Sequence, residues 1–283
     1  MITFETLDNG FKTIKIENSN AAAKLSLQGA HLFHYEAKGK SPLLWLSDTS
    51  AFEMGQAIRG GVPICWPWFG AHKDDASLGA HGFARTALWE FVESSEIDEG
   101  TTQVTMQLTH SDETLAIWPY KFNLRLIISV GETLTLSLMT ENLDENAFEI
   151  TQALHTYFNV SSIDNASVKG LDQQHYFDAL SRESKIQQGD IYFAEEVDRV
   201  YQNIRYPLTL VENEQVISIE SEGSDSVIVW NPWIDKCARM SAMTEDAYKT
   251  MLCIESANAL KDSRVIEPGQ QHTLHTTYTQ REL

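Results

Sequence analysis

The 283-residue chain sets 21 Lys and Arg against 40 Asp and Glu, a formal charge of −19, with 42% hydrophobic and 22% charged residues. That balance excludes a disordered chain, and its negative field repels nucleic acid and anionic membrane surfaces. The longest apolar stretches, such as 124–130, fall far short of the ~20 residues a membrane-spanning helix needs, and the start, MITFETLDNGFKTIKIEN, lacks the basic-then-apolar order of a secretory signal.

Along the chain the dominant signal is alternation of apolar and polar residues, the period of a strand buried on one face. Asn9-Gly10 offers a turn just before Ile14 and Ile16, which alternate with Thr13 and Lys15. The segment from Leu46 to Leu88 breaks the pattern with clustered Gly, Pro and Trp, and a long ordered loop of that kind is often functional. Alternation then resumes at Val104, Met106 and Leu108, at Phe122 to Val130, and at Leu134, Leu136 and Leu138, with Gly131-Glu132 as the hairpin connection between the last two. Phe148 to Leu154 reads as a further strand, Ile217 and Ile219 mark another, and short helices are predicted near 112–117 and 244–249. Without a Pro/Gly/Ser-rich linker or a fixed repeat, the expectation is one all-β domain over 1–283, an antiparallel sandwich of many strands.

Cys65, Cys237 and Cys253 are too few and too scattered for a disulfide framework, which suits a reducing, cytoplasmic setting. The nine histidines include His31/His34 and His272/His275, but zinc spacings, a Walker A loop, a GxGxxG fingerprint and a GxSxG elbow are all missing. No metal or nucleotide cofactor is expected.

Four segments could carry chemistry. The long loop holds Arg59 beside Gly60-Gly61 and Arg85 in His81-Gly82-Phe83-Ala84-Arg85. Glycine lets backbone approach a ligand, and a guanidinium fork matches phosphate oxygens, although bridging surface acids is the commoner use of a single Arg. His155 follows an apolar strand, and its ordinary pKa suits proton transfer near neutrality. Glu255 ends the apolar run Met251-Leu252-Cys253-Ile254, where desolvation would make a carboxylate a stronger base. Trp230 and Trp233 flank Asn231-Pro232, as core packing or as a stacking face for sugar.

Taken in order, RGGVPICWPWFG, HGFAR, ALHTYFNV, VWNPW and LCIES resemble the hexose-6-phosphate mutarotases, or glucose-6-phosphate 1-epimerases, of the aldose 1-epimerase superfamily. The resemblance implies a large twisted β-sandwich, sometimes called a supersandwich, with the sugar on its concave face. It implies His155 and Glu255 as acid and base, Arg59 and Arg85 as phosphate ligands and Asp198 as the aspartate that binds a sugar hydroxyl. Family members often carry Gln before HGFAR where this chain has Ala80, a polar contact that His81 could replace; Lys236 and Arg239 are secondary candidates for the phosphate. The implied enzyme is a monomeric isomerase of hexose 6-phosphates. An epimerase for unphosphorylated aldoses and a non-catalytic carbohydrate-binding module are the alternatives.

Overall fold

The computed structural model describes residues 1–213 and 215–282, and it is built almost wholly of antiparallel strands. An N-terminal meander pairs Ile2–Thr6, Lys12–Glu17, Ala21–Ser26 and Leu32–Ala37 in sequence order. A nine-stranded sheet runs from Ile191–Tyr192 through Ala166–Lys169, Leu208–Glu212, Gln215–Glu222, Gln271–Glu282, Leu134–Asn142, Phe122–Val130 and Thr101–Thr109 to Glu90–Asp98. Its last strand exposes Glu90, Glu93, Glu96 and Asp98, charges that blunt an edge otherwise open to further pairing.

The eight-stranded sheet carries Glu255 and the two short strands that flank His155. Its order is Glu183–Ile186, His175–Asp178, Val197–Gln202, Ser226–Asn231, Met251–Asn258, Gln152–Leu154 and Ile64–Cys65, with Tyr157–Asn159 also paired to Met251–Asn258. Alternation sorts its side chains. Val227, Val229, Leu252 and Ile254 point into the main core shared with the other two large sheets, whereas Ile228, Trp230 and Cys253 join a second apolar cluster on the opposite face. With both faces covered, Met251–Asn258 is buried at every position, which explains why its sequence reads as a continuous apolar run.

The alternating segments of the sequence are all strands, and the predicted hairpin closes at Val130 and Leu134. The expected strand from Phe148 to Leu154 is in fact two. Phe148–Ile150 pairs with Arg264–Ile266 and Gln152–Leu154 with Met251–Asn258, because Thr151 between them turns its backbone N–H to Pro67 and takes a hydrogen bond from the Phe69 N–H on its hydroxyl. The helix at Asp112–Ile117 is present with a Ser111/Thr114 capping box, while the segment expected near 244–249 forms only a 3-10 turn at Ala247–Lys249. A five-residue helix, Trp233–Cys237, is too short to leave a periodic signal in the sequence. Among the described residues no helix is long and apolar enough to cross a membrane.

Candidate active site

Register brings the two proton-transfer candidates face to face. Leu154 pairs with Ser256 and Tyr157 with Cys253, so His155 falls opposite Glu255 on the same side of the sheet. Ladder pairing lapses there: the His155 N–H is taken by the Pro63 carbonyl at 3.0 Å, and the ring turns toward the carboxylate. His155 Nε2 lies 3.3 Å from Glu255 Oε1, while His155 Nδ1 and Glu255 Oε2 are buried with no protein partner. The next row across the sheet is Tyr157, Cys253, Trp230 and Asp198, each paired in register with its neighbour.

Aromatic faces hold the histidine. Its ring is stacked on Tyr157 at 4.9 Å with 15° between planes and meets the edges of Trp230 at 6.0 Å and His81 at 5.8 Å. Trp45 continues the stack behind Tyr157 at 5.9 Å. Trp230, for which the sequence left core packing and sugar stacking both open, meets the His155 ring here, whereas Tyr157 is a neighbour that the sequence motifs did not mark. Tyr157 was legible in principle, since a residue two beyond a cleft histidine on a strand shares its face.

The long loop supplies the other wall. Gly60 and Gly61 have φ of +116° and +61°, and a Cβ on either would stand 2.5 Å from the Trp45 carbonyl oxygen or 2.3 Å from that of Leu32. Only glycine lets this loop lie on the neighbouring strands. The buried His31 ring, its Nε2 donating to the Gly60 carbonyl at 2.7 Å, fixes the turn that presents Arg59. The sequence offered no pattern marking His31 for this role. The Arg59 Nη1 donates to the Tyr157 hydroxyl at 3.3 Å, and its Nε is buried without a protein partner.

Gly82, φ +64°, has even less room, its notional Cβ meeting the Trp66 carbonyl oxygen at 1.9 Å. This contact sets the HGFAR turn, in which Arg85 Nη2 donates to the Ala80 carbonyl at 2.9 Å. Backbone rather than side chain at position 80 therefore orients the guanidinium. His81 takes φ +70°, and its Nδ1 accepts from the Gly70 N–H at 3.3 Å, leaving Nε2–H as the donor.

Arg59, His81, Arg85, His155, Asp198 and Glu255 line one cavity of about 330 Å³. A larger, open concavity of about 1220 Å³ beside Trp45 and Asn159 holds none of the six. Lys236 also lines the smaller cavity but is committed elsewhere: its Nζ lies 2.9 Å from Glu196 and 3.4 Å from Asp198 and sits over the Trp230 ring at 5.6 Å. Arg239 donates to the Asp235 carbonyl and does not line the cavity. Neither secondary candidate is thus a free cation in the cavity.

Electrostatics follow from burial. Desolvation, helped by the nearby His81 and Arg85, pushes the His155 pKa well below the usual histidine range. Burial, with the Asp198 charge adding to it, pushes the Glu255 pKa well above the carboxylate range. Both shifts run toward the neutral form of each group. His81 is pushed down to about 4 by burial and by Arg85 and Arg59. Burial also raises Asp198, against the opposing pull of Lys236. His155, Cys253 and Glu255 further place three metal-ligating atoms within 4.8 Å of one another, a grouping the sequence spacings did not announce.

A β-sandwich whose cleft sets a histidine 3.3 Å from a buried glutamate, beside donors that can hold a polar ligand, has the parts that proton transfer requires. Residues 12–279 match the family model described as aldose 1-epimerase, and the chain belongs to that family, as an isomerase that interconverts sugar anomers. A protein of Escherichia coli K12 named "Putative glucose-6-phosphate 1-epimerase" is 36% identical over 264 residues, 92% of this chain and 87% of that one. One of the same name from Cenchrus ciliaris is 35% identical over 268 residues, 89% and 79% of the two chains. The crystal structure titled a "putative mutarotase" from Salmonella typhimurium superposes with a TM-score of 0.93 at 31% identity, over 100% of this chain and 94% of that one.

Proposed function

We propose that this isomerase acts on an aldohexose 6-phosphate, with His155 and Glu255 exchanging protons with the sugar and Arg59 and Arg85 holding the phosphate. One observation carries the phosphate reading. Among the described residues, neither arginine has a carboxylate within ion-pair distance, in a chain with nineteen excess negative charges. A cationic cavity left unneutralised in so acidic a protein has a place for an anion. The relatives' names agree with that substrate.

Anomer exchange needs the C1–O5 bond to open, which requires a proton leaving O1 and one arriving at O5. The His155–Glu255 pair holds one proton between two sites and can serve both ends. We take that proton to rest on Glu255 before the sugar binds, the direction in which burial shifts both groups. Burial is the chief cause of the low His155 pKa and Arg85 and Arg59 add to it, so a bound phosphate dianion that offsets the two arginines shifts the proton toward the ring. The ionised Glu255 then takes the O1 proton while His155 gives one to O5; rotation about C1–C2 and reclosure deliver the other anomer. Asp198, held by Lys236, receives a ring hydroxyl, and His81 Nε2–H is a further donor toward the substrate.

Exchange NMR on equilibrated glucose 6-phosphate tests this directly. His155→Ala and Glu255→Ala should each slow anomer exchange by ~10²–10⁴-fold, the usual worth of a positioned acid or base, while retaining binding. Wild-type rates in both variants would remove the assignment. In the same sample the His155 ring should titrate higher with sugar phosphate than without; an unmoved titration removes the proton-return step.

The epimerase for unphosphorylated aldoses remains a second reading, favoured only if glucose and glucose 6-phosphate turn over alike. Three free, buried thiols suit a reducing cytoplasm, and we read the working form as a monomer.

A further inference from the structure

The Cys253 thiol has no part in the proton transfers above, yet it faces the same side of the sheet as Glu255, in the row between Tyr157 and Trp230. We propose that Cys253 Sγ, His155 Nε2 and Glu255 form an inhibitory site for a zinc-type divalent cation, one that excludes the sugar by taking its acid and base. Geometry is the first support. Zinc bonds of about 2.0 Å to nitrogen and oxygen and 2.3 Å to sulfur put tetrahedral ligand atoms roughly 3.3–3.7 Å apart. The His155–Glu255 pair already stands at 3.3 Å, and all three ligand atoms lie within 4.8 Å of one another. Closing on a cation asks about 1 Å of the thiol.

An independent support is the unsatisfied carboxylate oxygen. Glu255 is 1% exposed, and its Oε2 has no hydrogen-bond partner among the described residues. A buried oxygen in that state favours any cation that can reach it. The charges also balance. A thiolate and a carboxylate supply two negative charges to a dication, so the unit that faces Arg59 and Arg85 is neutral. Burial raises the pKa of both the Cys253 thiol and the Glu255 carboxyl well above their ordinary ranges, so capture forms metal–sulfur and metal–oxygen bonds and sends both protons to solvent. His155 binds as neutral imidazole, the form its surroundings already favour. A soft sulfur ligand selects zinc or cobalt over magnesium, and a fourth position stays open for water.

The test uses the whole protein with Co²⁺, Zn²⁺ and Mg²⁺ as probes. Stoichiometric Co²⁺ should give a thiolate-to-cobalt charge-transfer band in the wild type, a readout that does not require the protein to be a mutarotase. The band should persist in Cys65→Ser and in Cys237→Ser and vanish in Cys253→Ser. In anomer exchange, Zn²⁺ should inhibit competitively with sugar phosphate, chelator should restore the rate, and Mg²⁺ should do nothing. Cys253→Ser should raise the half-inhibiting zinc concentration, measured against its own zinc-free rate, by at least roughly tenfold, since loss of even an outer-shell partner costs that much. No charge-transfer band in the wild type, a band that survives Cys253→Ser, or zinc sensitivity unchanged in that variant overturns the proposal. If Cys253→Ser does not fold, the wild type, Cys65→Ser and Cys237→Ser spectra decide it by elimination among the three cysteines.

Discussion

Glu255 shows how little a single residue announces by itself. In the sequence it is one of 40 acids, and only its place at the end of an apolar run sets it apart. Nothing in that run says which residue stands opposite; the carboxylate acquires its chemistry from a register that puts His155 3.3 Å away. Arg59 and Arg85 show the reverse. Their Gly-rich surroundings were legible, but whether they bridged acids or stood free was decided by the folded surroundings of each. Because their charges are free, substitution should act on affinity and selectivity. Arg59→Ala or Arg85→Ala is expected to weaken glucose 6-phosphate by about 1.5–3 kcal/mol, the worth of one charged hydrogen bond, and to leave free glucose nearly unaffected. Equal losses for the two sugars, measured by KM and kcat/KM, would show that the arginines do not hold a phosphate.

Strands were the most legible elements, because a sheet with one wet face writes its period into the sequence. Legibility failed where that condition failed. Met251–Asn258 is covered on both sides and loses its period; Gln152–Leu154 and Tyr157–Asn159 are only three residues each; Trp233–Cys237 spans little more than one turn. These are also elements that build or border the cavity, so the residues that meet there were readable from their motifs and not from secondary structure. The HGFAR turn depends on an approach no side chain permits. Gly82→Ala drives a methyl into the Trp66 carbonyl oxygen at 1.9 Å in a left-handed backbone conformation. Stability should fall by at least about 2 kcal/mol, with KM for the sugar phosphate rising as His81 and Arg85 shift. A urea midpoint equal to that of the wild type would mean that the turn relaxes freely.

Across the whole molecule, burial of histidines makes stability depend on acid. His31 is 1% exposed, and its pKa is pushed down to about 4 by burial, with its hydrogen bond to Gly60 opposing and Arg85 adding to the fall. Between that value and the ordinary 6.5 the unfolded chain takes a proton that the folded one refuses, so stability is complete above this window and declines as pH falls through it. The share from His31 is on the order of 3 kcal/mol. His81 and His272, each lowered to about 4, act in the same direction. Urea unfolding at pH about 7 and about 4.5 should show the loss, and His31→Gln should make it smaller. An identical loss in His31→Gln would place the acid sensitivity elsewhere. The division of the cavity between strands and loop has a different consequence. His155 and Glu255 sit on or beside paired strands of one sheet, whereas Arg59, His81 and Arg85 all belong to the 46–88 excursion. On the proposed roles, ring opening and choice of sugar are separable parts. A chimera that keeps the sheet, Pro63 and the strand Ile64–Cys65 included, and exchanges the flanking loop pieces that carry Arg59, His81 and Arg85 is the direct engineering route to a mutarotase with another substrate.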